Sequence, residues 1–125
     1  MATIIKFIGI LFGAFLIFLF VAGYFLVSGM CANTVITSST SPNEKLKLVL
    51  FERSCGATTG YSSQISLLES GDDLSNEPGN IYIAAGYPDN YTLTWDSNFS
   101  VKVGGSNGNS NKKVTQLNGV QFTYE

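Results

Sequence analysis

Two hydrophobic patterns divide the chain. From Phe7 to Val27 the residues read FIGILFGAFLIFLFVAGYFLV, an apolar run without charge or proline. Further on, apolar residues recur at alternate positions in short segments separated by turn residues. The first pattern predicts one helix. At about 1.5 Å rise per residue the run is roughly 31 Å long, the thickness of a bilayer's hydrocarbon core. Fifteen of its residues are Ile, Leu, Phe or Val, and their insertion free energies sum to on the order of −5 to −9 kcal/mol.

The second pattern predicts strands. Thr34 to Ser39 is rich in β-branched residues. Ser41-Pro42-Asn43-Glu44 reads as a turn, with proline setting the first central φ and asparagine tolerated at the second. In Lys45 to Arg53, Leu46, Leu48 and Leu50 face one way and Lys45 and Lys47 the other. Val49 and Phe51 break that alternation, which predicts cover on both faces. Tyr61 to Leu68 alternates, Ser70 to Asn80 is a long polar loop, and Ile81 to Ala85 is a short strand. Tyr91, Leu93 and Trp95 share a face opposite Thr92 and Thr94, a strong strand signal. Asp96-Ser97-Asn98 turns the chain into Phe99 to Val103. Gly104 to Asn111 has too little apolar content to hold a fixed structure. Val114 to Leu117 and Val120 to Tyr124 flank Asn118-Gly119, a hairpin turn signal.

The expected fold is a single N-terminal transmembrane helix followed by a mainly-β domain, an antiparallel β-sandwich or curled sheet of about seven strands. Residues 1–29 form the anchor with a short cytoplasmic start, and 30–125 the extracytoplasmic β domain.

Charge orients the anchor. Lys6 and the α-amine lie on its amino side, and the other flank is uncharged until Glu44. The positive-inside rule puts the amino terminus in the cytoplasm and the β domain outside, on the periplasmic side. A cleaved signal peptide would have a shorter apolar run and a more basic start. A lipobox wants a small residue before Cys31, where this chain has Met30. Cys31 and Cys55 are the two cysteines; on the oxidising side an even count suggests one disulfide. The alternative is two free thiols in a cytosolic domain.

Composition narrows the chemistry. Beyond the helix, Lys45, Lys47, Arg53, Lys102, Lys112 and Lys113 face nine acids, unlike the basic cluster of a nucleic-acid footprint. The chain has no histidine, which removes Ser-His and Cys-His nucleophiles and His-containing metal sites. No glycine-rich loop sits between a strand and a helix to cradle phosphate. Asp72, Asp73 and Glu77 form the densest acidic spot, but their spacing matches no EF-hand and reads as a polar loop. No catalytic, cofactor-binding or metal-binding residue is expected. Gly9 and Gly13 form a small-xxx-small pair through which a weak helix homodimer is conceivable. The loop Gly56, Ala57, Thr58, Thr59 and Gly60 is rich in hydroxyls and glycine; it is the possible interaction loop, presenting backbone amides to a ligand, and the alternatives are tight closure over a neighbouring strand and a plain disulfide-stapled turn.

Cys31-Ala32-Asn33-Thr34, Ser41-Pro42-Asn43-Glu44-Lys45 and Phe51 to Gln64, with its FER-x-CGATTG-Y-S-x-Q run, resemble a family of small uncharacterised bacterial lipoproteins or membrane-tethered domains. Asn76 to Ile81 and Asn118-Gly119-Val120 are also similar. The chain departs where Asn43-Glu44 replaces Asp-Gly and where Ser54 replaces an acid. The resemblance implies that both cysteines pair and that the domain is extracytoplasmic; it implies no activity.

The function expected is a non-enzymatic envelope protein, held in the lipid bilayer and binding an envelope protein partner, with no cofactor. Alternatives are a phage or mobile-element exclusion or immunity protein and a pilin-like filament subunit.

Overall fold

The structure, a computed structural model, describes residues 1–28, 31–56, 60–105 and 109–125. The chain divides between Met30 and Cys31 into a helical unit and a β unit.

Helix α1 spans Ala2–Ser28, starting earlier than the apolar run because Ala2 to Lys6 includes good helix formers. Phe12, Phe18, Phe20 and Ile10 point in four different directions around it, and all are exposed. A helix apolar on every face and unburied by protein needs an apolar solvent. By length and composition it is a membrane-crossing helix or a signal sequence.

The β unit is built of two sheets. The first has the order β1-β2-β3-β4-β7 and the second β5-β6-β9-β8. The strands are β1 (Ala32–Thr40), β2 (Leu46–Ser54), β3 (Ser62–Glu69), β4 (Tyr82–Ala85), β5 (Thr92–Ser97), β6 (Ser100–Gly104), β7 (Ser110–Lys113), β8 (Gln116–Leu117) and β9 (Val120–Tyr124). Leu48, Leu50, Ile65, Leu67, Tyr82 and Ala84 from the first sheet share one core with Val101, Val103, Val120 and Phe122 from the second. Period-2 alternation places these residues on facing inner surfaces. Tyr91, Leu93 and Trp95 pack against that core as predicted.

Two features depart from the sequence reading. The β6–β9 pair is parallel, because the chain between them crosses to the other sheet through β7 and returns. Strand β7 itself lies partly inside the glycine-rich stretch expected to lack fixed structure: Ser110 and Asn111 belong to it. It is held by pairing with β4, a backbone interaction that side-chain pattern does not report. Its Lys112 and Lys113 also suit an exposed edge. Residues 106–108 of that stretch lie outside the described residues.

The other edge, β1, is blunted twice. A register shift between Val35 and Thr37 breaks its ladder, and the Trp95 indole donates to the Ser39 carbonyl at 2.9 Å. Both devices hinder pairing with a further strand.

The predicted turns form, with one displacement. Asn118 and Gly119 have φ of 50° and 77°, the paired positive values of a type I′ turn. In the β1–β2 turn the left-handed residue is Glu44, at φ 59°, not Asn43. The Asn43 side chain instead accepts from the Ser41 hydroxyl at 2.7 Å and from the Lys45 amide at 3.2 Å. A non-glycine residue in that region costs about 1–2 kcal/mol, partly offset in glycine by its looser unfolded chain. Glu44→Gly is therefore expected to stabilise the domain by about 0.5–1 kcal/mol, read as a higher urea midpoint with unchanged slope.

Candidate interaction surface at the two ends of the sandwich

The strands run between two ends. One carries Cys31, Cys55, Gly60, Tyr61 and the loop from Gly86 to Tyr91. The other carries the β1–β2 turn, Ser70, Asn98, Phe99 and Asn118.

At the Cys31 end, Cys31 and Cys55 are joined by a disulfide, which fixes the start of β1 to the end of β2. Of the possible interaction loop, Gly56 and Gly60 lie at this end, and Gly56 has φ 121°. Ala57, Thr58 and Thr59 lie outside the described residues. Gly9 and Gly13 are one helical turn apart on α1, and a Cβ at either would meet nothing within 4 Å.

Residues 70–80 leave β3 and return across the outer face of the first sheet. Arg53 Nη1 donates to Asn33 Oδ1 at 2.8 Å and to Asn76 Oδ1 at 3.2 Å. Asn33 Nδ2 donates to the carbonyls of Ser75 and Glu77 at 3.0 and 2.8 Å, and Asn76 Nδ2 donates to the Cys31 carbonyl at 2.8 Å. Farther along, Gln64 Oε1 accepts from the Gly79 amide at 2.7 Å. The cover expected over Val49 and Phe51 is real, since both are buried. Asp72, Asp73 and Glu77 sit on this strap, and no group of three potential metal-ligating side chains converges among the described residues.

Beyond Gly60, Tyr61 and Tyr87 stack with ring centroids 4.3 Å apart and planes tilted by 31°. The Gly86 amide donates to the Tyr61 carbonyl at 2.9 Å and Ser63 Oγ to the Gly86 carbonyl at 2.7 Å, so hydrogen bonds fix the backbone at Tyr61 and just ahead of Tyr87. The hydrogen bond to Tyr61 is the main cause pushing the Tyr87 phenol up to about 12, with the nearby Glu52 and Asp89 charges adding to it. Tyr61 and Tyr87 were not legible as a pair, because they are far apart in sequence. The available signal was Tyr87 itself, an aromatic residue between Gly86 and Pro88 where a turn is expected.

A second tyrosine group lies inside. Tyr82 stacks on Tyr124 at 5.6 Å and meets Tyr91 edge-on, with the Tyr82 and Tyr91 hydroxyls 3.1 Å apart. The Tyr124 hydroxyl donates to the Val114 carbonyl at 2.6 Å, and Lys113 Nζ lies 4.9 Å from the Tyr124 ring centre. Burial raises the Tyr82 phenol, and burial raises Tyr124 to about 12. These phenols keep their protons in the fold at a pH where the unfolded chain has released them. Their contribution is fully present below about pH 10 and is lost as pH rises through the folded value near 12. The expected result is a urea midpoint that falls steeply above about pH 10. Tyr124→Phe is expected to be less stable at neutral pH by about 1 kcal/mol and to show a shallower alkaline fall.

At the opposite end, a groove of about 610 Å³ is lined by Asn43, Glu44, Lys45, Leu46, Glu69, Ser70, Asn98, Phe99 and Asn118. Asn98 Oδ1 accepts from the Asn43 amide at 2.8 Å, which ties the turns of the two sheets together. Phe99, read from the sequence as the start of a strand, is 65% exposed at the groove. The groove presents amides, a mixed-charge rim and one aromatic ring.

No protein-family model matches the chain, and no curated protein or solved structure matches it.

Proposed function

We propose that this chain is a single-pass membrane protein, amino terminus inside, that displays a non-enzymatic β domain on the extracytoplasmic face of the cytoplasmic membrane to bind another envelope component. The observation that carries this reading is an apolar helix, exposed on every face, followed within three residues by a disulfide-closed β domain. A disulfide persists on the oxidising side of a membrane, so helix and disulfide favour the same orientation. The resemblance around Phe51 to Gln64 favours the same compartment. For the binding role, the support is a fully bonded interior with a groove at its surface: among the described residues every buried side-chain nitrogen and oxygen has a partner. The absence of histidine from the sequence supports the non-enzymatic reading.

The test is thiol labelling in intact cells with a membrane-impermeant reagent, before and after reduction, with the mass of the amino-terminal segment read alongside. Labelling only after reduction, on a chain that keeps its helix, is the expected result. Thiols that label only after lysis, without a reductant, would place the domain in the cytoplasm. Loss of the helix from the mature chain would replace the anchor with a signal sequence.

A further inference from the structure

Tyr61 and Tyr87 are 43% and 53% exposed, although their rings stack on each other and hydrogen bonds fix the backbone beside them. Their position along the sheet is informative. Ala32 pairs with Ser54, Arg53 with Ser62, and Ser62 with Ala85. At about 5 Å per strand, Tyr61, beside β3, and Tyr87, beyond β4, stand roughly 10 and 15 Å across the sheet from Cys31, at the same end. Helix α1 ends at Ser28, so the chain reaches from it to Cys31 over at most about 11 Å. The tyrosines therefore lie at the end of the β domain where its chain begins, three residues in sequence after the last residue of the helix.

We infer that the Cys31 end of the β domain meets a lipid surface, the headgroup region of the membrane that holds its own anchor, through the stacked pair Tyr61 and Tyr87. The inference rests on the anchored reading above. Tyrosine suits that layer because its ring partitions among the upper acyl chains while its hydroxyl stays with headgroups and water. The Tyr87 phenol is uncharged at physiological pH, and its hydrogen bond with Tyr61 supports that state. Glu52 and Asp89 lie near enough to Tyr87 to act on it electrostatically, so attraction to anionic lipid is not the cause of adhesion. A zwitterionic bilayer is sufficient, and the contact is insensitive to salt.

The experiment uses the full chain in phosphatidylcholine vesicles in which a fraction of the lipid is brominated near the head of the acyl chains. Trp95 is the single tryptophan and gives the baseline quenching. Tyr87→Trp adds a reporter at the Cys31 end, and Phe99→Trp adds one at the opposite end. Vesicle flotation shows separately whether the chain is anchored. With flotation intact, the quenched fraction in Tyr87→Trp should be about twice that of the unsubstituted chain or of Phe99→Trp, and unchanged by added salt. Intact flotation with equal quenching in all three chains would overturn the lipid contact and leave the anchor standing. Loss of flotation would overturn the anchored reading and this inference with it. Emission of Tyr87→Trp that responds to a soluble oligosaccharide and not to the brominated lipid would make the pair a sugar platform instead, and would also overturn the inference.

Discussion

Asn80→Ala should destabilise the β domain by about 3 kcal/mol, although it removes one small polar side chain from a loop. Ile65 pairs with Tyr82, so the register of β3 and β4 would place residue 80 opposite Leu67. The backbone does not continue the ladder there. The Asn80 side chain does so in its place: its Oδ1 accepts from the Leu67 amide at 2.7 Å and its Nδ2 donates to the Leu67 carbonyl at 2.9 Å. Leu67 is 3% exposed, so water cannot take over both groups. An orphaned buried donor or acceptor costs about 1–3 kcal/mol. Asn80→Asp is the informative control. A carboxylate can still accept from the Leu67 amide but faces the Leu67 carbonyl with a second acceptor, so it should be no better than alanine. Urea unfolding of the detergent-solubilised chain, followed through Trp95, measures both. Equal stability of Asn80→Ala and the unsubstituted chain would mean that strap and strand separate without cost.

The same strap shows what the sequence conceals. Ser70 to Asn80 reads as a polar loop, and it contains no strand. What holds it is a set of long-range side-chain bonds from Asn33, Arg53 and Gln64, whose partners are up to 44 residues away. Gly79 passes so close to the sheet that a Cβ there would stand 2.8 Å from the Ile65 and Tyr82 carbonyls, a close approach open to glycine alone. Composition identifies a polar segment as a loop; it does not say whether the amides are solvated or spent on a neighbouring strand. The apolar pattern is different. Leu48 and Leu50, and Ile65 and Leu67, were readable as sharing a face because burial depends on a local period of two. Pairing was not readable, and so neither the parallel β6–β9 pair nor β7 was foreseen. Lys112 and Lys113 give no apolar signal, and the partner of β7 is distant in sequence.

The candidate surfaces divide in the same way. The cysteines were legible because their chemistry is rare and their number is even. Gly56 and Gly60 were legible as a loop. Tyr61 with Tyr87, and Phe99 with the β1–β2 turn, are surfaces assembled by topology from single residues that look ordinary in their own segments. The turn at Glu44 is intermediate: the sequence located it, but which residue adopts positive φ depended on how the Asn43 side chain was used.

Removing the disulfide by Cys31→Ser with Cys55→Ser should cost about 3.5 kcal/mol in the chain-entropy account, since the bond closes a loop of about 25 residues in the unfolded chain. The loss should begin at β1. That strand is a sheet edge, most of its residues are exposed, and its ladder is interrupted between Val35 and Thr37. Its first residues are held by the disulfide, by pairing with Arg53 and Ser54, by the Asn33 bonds to the strap carbonyls of Ser75 and Glu77, and by the Asn76 bond from the strap to the Cys31 carbonyl. Without the disulfide, amide exchange at Ala32 to Val35 should accelerate more than exchange in β2, β3 or β6, whose residues form the core. The Arg53–Asn33–Asn76 bonds should weaken with it, since Asn33 would be on the frayed strand and Asn76 donates to the Cys31 carbonyl just ahead of it. A matching drop in urea midpoint on adding reductant to the unsubstituted chain would assign the effect to the bond and not to the serines. If the double variant kept both its midpoint and its β1 protection, the strap network alone would fix the start of the domain, and the disulfide would mark the compartment without stabilising the fold.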